Sequence, residues 1–251
     1  MIERGESFTK VEGVEAAARA DASALAAAAV GPLVAAKRML EDFVSLKAGD
    51  AVAQSGADSL TGQAVVQLAA ARGLRSVSVA RGNPAGGWAK FAQHMAGVGA
   101  TLCVSEEAAA RHDFARLLAD VPAPRLGLNG SGGAAAGAVA RALGQGATLV
   151  SYGGAAPSGG RASALQAPLA LFTQRDLTLR GFSLARAAAA MAKPARDAEA
   201  REAVAAAASG SVKLLVAREP MADFKAALPR ALAAVSAPRG TVAERTVVFT
   251  F

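Results

Sequence analysis

The sequence is poor in the residues on which much of protein chemistry depends. Its single cysteine, Cys103, excludes an internal disulfide and any Cys-x-x-Cys zinc site. Cys103 stands in the apolar run 101–104, where it reads as a buried strand residue. The only histidines, His94 and His112, fall on separate helical segments, and no G-x-S-x-G motif is present, so no nucleophile relay is legible. No metal-ligand spacing is found. Aromatic residues make up 4% of the chain, with one Trp (Trp88) and one Tyr (Tyr152). The net charge is +7, yet the chain has no Lys/Arg-rich run and no basic residues interleaved with aromatics. Direct nucleic-acid readout is therefore not expected; the charge suits an anionic cofactor, an anionic membrane surface or an acidic subunit surface, or is simply that of a basic protein from a mitochondrion-like compartment. The longest apolar run, 24–36, is too short for a bilayer and contains Gly31 and Pro32, so no membrane span is expected. Glu3, Glu6, Glu12, Glu15 and Asp21 crowd the first residues, where a mitochondrial presequence avoids acids.

What the chain has is Ala, Val and Gly in the pattern of a large core, with hydrophobic residues at 53%. Residues 11–29 are Ala-rich and helical in pattern, and Gly31-Pro32 reads as a break. A second helix is expected over 33–46. Strands follow at 51–54, 75–80, 100–104, 125–129, 147–152 and 177–182, separated by helices at 60–72, 85–97, 106–120 and 134–144. This alternation predicts an α/β fold with a doubly wound, parallel, Rossmann-like sheet. The tail predicts a helix at 195–208, a short strand at 212–216, a helix at 221–235 and a final alternating strand, RTVVFTF. Three regions are expected: an Ala-rich extension (1–32), the Rossmann-like domain (33–190) and a C-terminal part (191–251), of which 212–251 is expected to pack by itself.

The richest stretch is 51–81: strand, small-residue turn, helix, strand, then Arg81. Such a unit sets backbone N–H groups and a helix N-terminus against a pyrophosphate, and a base after the second strand suits a 2′-phosphate. In the turn, Asp58 or Ser59 is an ordinary helix N-cap. The glycine-rich 130–133 segment, with Ser131, can line a nicotinamide or form a plain strand-to-helix turn.

Several segments in order resemble mitochondrial trans-2-enoyl-CoA reductase, of the medium-chain dehydrogenase/reductase superfamily. They are RMLEDFVSLKAGDAVAQ (38–54), GQAVVQLAAARGLRSVSVAR (62–81), RLGLNGSGG (125–133), TLVSYGG (148–154) and DLTLRGFSL (176–184). The resemblance runs from about residue 33 to the C-terminus. It implies a GroES-like N-terminal domain, a Rossmann domain, and a C-terminal segment that returns to the first domain, here a remnant over 191–251. It also implies NADPH-dependent reduction of a thioester-linked trans-2 double bond, and a place in the mitochondrial matrix.

The sequence departs from that family at three points. Most of the GroES-like domain, with its proton-donating tyrosine, has no counterpart here, and Tyr152 matches a Rossmann strand end instead. Leu60 stands where the family has the glycine facing the phosphates, and there it would crowd a pyrophosphate and forbid the backbone angles a glycine allows. Asp58 adds a negative charge, and Asn83 replaces a neighbouring family arginine. The cofactor-lining residues carried over are Ser59, Gly62, Gln63, Arg81 and Ser131; no catalytic residue is assigned. The departures predict a non-catalytic, reductase-like accessory or structural subunit of a larger mitochondrial assembly, respiratory or ribosome-associated. Its partners would be protein subunits covering an exposed Rossmann face, and it would need no cofactor. The alternatives are an NADPH-dependent trans-2-enoyl-thioester reductase of mitochondrial fatty acid synthesis and an NADPH-binding module without turnover.

Overall fold

The computed structural model of the chain describes residues 18–82, 87–154, 165–229 and 247–250. Six strands form one sheet: β1 (Ala51–Ser55), β2 (Arg75–Ala80), β3 (Leu102–Ser105), β4 (Leu126–Asn129), β5 (Thr148–Ser151) and β6 (Thr178–Gly181). Their order is β3-β2-β1-β4-β5-β6, and every pairing is parallel. β1, β2 and β4 carry almost unbroken burial, as a sheet covered on both faces requires. Strand order reverses between β1 and β4, so the crevice beyond their C-terminal ends is the place where such sheets bind ligands.

One face of the sheet is covered by α1 (Ala18–Glu41), α2 (Leu60–Ala71) and α9 (Lys193–Ala208). The other is covered by α4 (Glu106–Ala110), α5 (Phe114–Leu117), α6 (Gly133–Ala142) and α7 (Leu169–Arg175). α3 (Gly87–Gly97) buries Phe91 and Met95 beside Ala57 and Val66, with Cys103 half-buried at the edge of this cluster. Burial pushes the Cys103 thiol up to about 12, with the Asp58 charge adding to the shift. A further short helix, α8 (Leu184–Ala189), is capped by Ser183.

The expected break at Gly31-Pro32 does not occur: α1 runs unbroken through Pro32. An interior proline costs a helix about 3 kcal/mol. Ala29, Leu33, Ala36, Met39 and Leu40 follow the helical period and are all buried. Burying Leu33, Met39 and Leu40 contributes roughly 1.5–3 kcal/mol each, which outweighs the proline. The helix ends at Glu41 rather than at residue 46. Residues 1–17 of the Ala-rich extension lie outside the described residues.

The expected helix over 106–120 is instead two short helices. Ser105 caps α4, Arg111 leaves helical conformation, and its side chain pairs with Asp113 before Phe114 turns into the core. No strand forms over 212–216. The N–H groups of Lys213 and Leu215 donate instead to Gln67 Oε1 (2.7 Å) and Gln63 Oε1 (2.7 Å), which ties this segment to α2. The strand lies later, at β7 (Ala217–Pro220), paired in parallel with β8 (Val247–Thr250). The start of the 212–251 segment therefore does not pack by itself: Val212 belongs to the core under α1 and α2. After a 3-10 turn at Met221–Asp223, residues 224–229 are helical, and the rest of the expected helix lies outside the described residues.

Candidate functional site

The C-terminal ends of β1, β4 and β5 are stitched together by side chains in register. Ser55, Asn129 and Ser151 are neighbours across the three strands. Ser55 Oγ is 3.2 Å from Asn129 Oδ1, and Asn129 Nδ2 donates to Ser151 Oγ at 3.0 Å. The N–H groups of Gly130 and Ser131 donate to Ser55 Oγ at 3.1 and 3.4 Å, and that of Gly132 donates to Asn129 Oδ1 at 2.8 Å. The 130–132 loop is thus held rigidly at the switch point. Neither Ser55 nor Asn129 is legible from the sequence as a site residue. Their signal is three polar residues at matching strand ends, visible only once the register is known.

The turn from β1 into α2 lies against this loop. Gly56 takes φ +71°, in the left-handed region, with Gly130 and Ser131 packed behind it. A Cβ on Gly62 would sit 2.5 Å from Gly56 O and from Ala57 Cα, so only glycine allows this close approach of turn and helix. Ser59 is the N-cap: its hydroxyl accepts from Gly62 N at 3.1 Å and donates to Gly56 O at 2.8 Å. Leu60 is the half-buried first residue of α2, and Asp176 is the one positive-φ non-glycine among the described residues. The expectation that Leu60 forbids the turn's backbone is therefore corrected, because the turn takes its special angle at Gly56.

Gln63 does not face the crevice. It is fully buried, with Nε2 donating to Asp58 O at 3.4 Å and Oε1 accepting from Leu215 N. Its amide is committed inside the fold at both ends. Arg81 leaves the end of β2 and donates from Nε to Asp58 Oδ2 at 2.9 Å. The Asp58 side chain is 1% exposed and that of Arg81 39%. Glu107, at the start of α4, sets its carboxylate against Gly82. Asn83 lies outside the described residues.

Tyr152 follows β5, and its hydroxyl fills the space that a Cβ on Gly130 would need. Burial pushes its phenol up to about 12, and the Asp58 charge adds to the rise. It packs the floor of the crevice. Ser131 Oγ is buried and has no hydrogen-bond partner. His94, in the last turn of α3, is shifted down by burial and by the charge of Lys213. Among the described residues no group of three or more His, Cys, Asp or Glu can hold a metal ion, and no helix is long and apolar enough to cross a membrane.

The residues present fit a dinucleotide. α2 begins at the turn from β1, and a helix N-terminus leaves N–H groups without intrahelical partners, of which that of Gly62 is taken by the Ser59 cap. Ser131 supplies a buried, unpartnered hydroxyl beside the crevice, and Gly56, Gly62 and Gly130 keep the walls close. Arg81 follows β2, the strand end from which sheets of this kind can reach the 2′ group of an adenosine ribose, and here its Nε is held by Asp58.

No family model matches the chain. In sequence it is similar to the mitochondrial enoyl-[acyl-carrier-protein] reductase of Homo sapiens, 39% identical over 151 residues, which is 60% of this chain and 39% of that one. The Arabidopsis thaliana protein of the same name is 39% identical over 155 residues, 62% of this chain and 39% of its own length. In fold it is similar to a mutant form of enoyl thioester reductase from Candida tropicalis, with a TM-score of 0.71 and 19% identity over 89% of this chain and 60% of that chain. The structure of an Etr1p/NADP/crotonyl-CoA complex matches with the same TM-score, 0.71, identity and coverage. The chain spans about two fifths of the length of the curated relatives it matches. Over about three fifths of its own length, the chain is similar to the mitochondrial enoyl-[acyl-carrier-protein] reductases.

Proposed function

We propose that the chain carries the NADPH-binding part of a mitochondrial enoyl thioester reductase. One observation carries the reading. The β1–α2 turn, capped by Ser59 and closed by Gly62, meets the rigid 130–132 loop at the switch point of a parallel sheet. A dinucleotide can lie across that crevice, with its diphosphate at the start of α2, its adenosine ribose toward Arg81 and its nicotinamide toward Ser131. A reduced nicotinamide supplies hydride. The chain's own part is to bind and orient: Ser55 and Asn129 fix the loop, Tyr152 fills the floor, and Ser59 keeps the helix end ordered. Relatives named as enoyl-[acyl-carrier-protein] reductases support the thioester substrate, and their mitochondrial location supports a matrix protein.

This reading takes the place of the non-catalytic accessory subunit expected from the sequence. That reading rested on an expected lack of the catalytic domain and its tyrosine, and on Leu60, whose backbone is unstrained although its side chain still stands at the start of α2. A single observation still speaks for it, namely that Asp58 holds Arg81. A subunit of that kind would have other proteins of its assembly as partners. The test is a titration of the chain with NADPH, followed by addition of crotonyl-CoA while NADPH oxidation is monitored. Saturable binding with oxidation supports the reductase. Binding without oxidation reduces it to an NADPH-binding module, and no binding at all returns the accessory subunit.

A further inference from the structure

We propose that Asp58 sets the nucleotide preference of the crevice: by occupying Arg81 in place of a 2′-phosphate, it lets the chain take NADH about as well as NADPH. The proposal rests on the dinucleotide reading above and deepens it.

The register of the sheet brings the two residues together. β1 and β2 are parallel, with Ser55 beside Val79, so Asp58 and Arg81 emerge from the same end of neighbouring strands. The pair is tight, 2.9 Å between Arg81 Nε and Asp58 Oδ2. It is also lopsided, with the carboxylate buried at 1% exposure and the guanidinium side chain at 39%. A buried carboxylate cannot swing into solvent to release its partner, so the pair is held from the Asp58 side. A 2′-phosphate approaching the open side of Arg81 therefore meets a neutralised pair rather than a free cation.

A second carboxylate strengthens the effect. Glu107 presses its carboxylate on Gly82, the residue after Arg81, so that a Cβ there would sit 2.5 Å from Oε2. Among the described residues, the end of β2 then has one guanidinium and two carboxylates beside it. This balance repels a doubly charged phosphate ester. It suits a ribose 2′-hydroxyl, which can donate to a carboxylate oxygen.

The experiment measures dissociation constants of NADPH and NADH by calorimetry on the full chain, with 2′,5′-ADP and 5′-AMP as probes of the adenosine half. The proteins are wild type, Asp58→Asn, Asp58→Ser, and Asp58→Asn combined with Arg81→Ala. The wild type is expected to bind the two dinucleotides within about threefold of one another. Either neutral variant is expected to tighten NADPH by roughly tenfold, the strength of one freed charge-assisted contact, with NADH little changed. The double variant is expected to lose that gain, and 2′,5′-ADP to follow NADPH. Because the readout is a ratio within one sample, partial loss of folded protein cancels, and Asp58→Ser guards against a defect peculiar to Asn. A wild type that strongly prefers NADPH, or a ratio unmoved by both neutral variants, overturns the proposal while leaving the dinucleotide site in place. Failure of either dinucleotide to bind any of the four proteins overturns the dinucleotide reading, and this proposal with it.

Discussion

Gly62 is the position where one missing Cβ decides the shape of the crevice. The atoms that an alanine side chain would strike there are backbone, Gly56 O and Ala57 Cα, which cannot turn aside as a flexible side chain would. Gly62→Ala is expected to destabilise the fold by about 2 kcal/mol or more, an overpacking cost, and to weaken nucleotide binding as the turn lifts from α2. Equilibrium urea denaturation checks it, and an unchanged midpoint would show that the approach is looser. Tyr152 gives a second handle because it is the only tyrosine. Its phenol is expected to titrate near 12 in the folded chain, against an ordinary value of 10.0, as read by ultraviolet difference absorbance. Between those values the unfolded chain has shed a proton that the folded chain retains, so stability falls as pH rises through this window. Cys103, lifted from 9.0 to about 12, acts in the same direction from a lower starting pH. Tyr152→Phe is expected to remove part of the alkaline loss, on the order of 1–2 kcal/mol by pH 12. A tyrosine that titrates near 10 in the folded chain would contradict this.

The sequence marked Asp58 as misplaced and Arg81 as a cofactor contact, but it could not join them. They are 23 residues apart, and only the β1–β2 register makes them neighbours. Gln63 misled in the opposite sense. It sits in a segment shared with the reductase family, yet its side chain serves the far C-terminal segment.

Among the elements, α2 does the most, because it holds both the crevice and the tail. Gln67 and Gln63 take the N–H groups of Lys213 and Leu215, and Gln67 Nε2 also donates to Lys213 O at 2.9 Å. Gln63→Ala is expected to cost about 1–3 kcal/mol, since it leaves a part-buried N–H without its acceptor. Faster hydrogen exchange at Leu215, with β1 to β5 unchanged, would show that the segment had come loose; unchanged exchange there would refute the role. The strands and the helices between them were legible because buried parallel strands read as apolar runs and α2, α3 and α6 keep their period. What was not legible depended on partners. Pro32 looks like a break until the buried face of α1 is seen, and 212–216 looks like a strand until the glutamines claim its backbone. The short α8, capped by Ser183, was too brief to show a period.

For the molecule as a whole, the six-stranded parallel order fixes where a ligand goes, and the side chains at that edge decide which ligand. The fold was readable from alternation of elements, and the family from ordered segments. The chemistry was not, because it turns on which charges face each other across strand ends. Two ion pairs between α1 and α9, Lys37 with Glu202 and Arg38 with Glu199, hold the far face of the sheet. Being largely at the surface they are expected to contribute about 1 kcal/mol or less each and to weaken with salt, as thermal melts at rising ionic strength would show.

The central claim is that this crevice binds a nicotinamide dinucleotide, and a ligand that binds only the folded chain must stabilise it. At 100 times its dissociation constant, NADPH is expected to add about 2.7 kcal/mol, raising the midpoint of thermal unfolding by several degrees. Trp88, on α3 near the end of β2, is expected to be quenched over the same concentration range. A melting temperature that stays fixed at saturating NADPH and at saturating NADH would contradict the account.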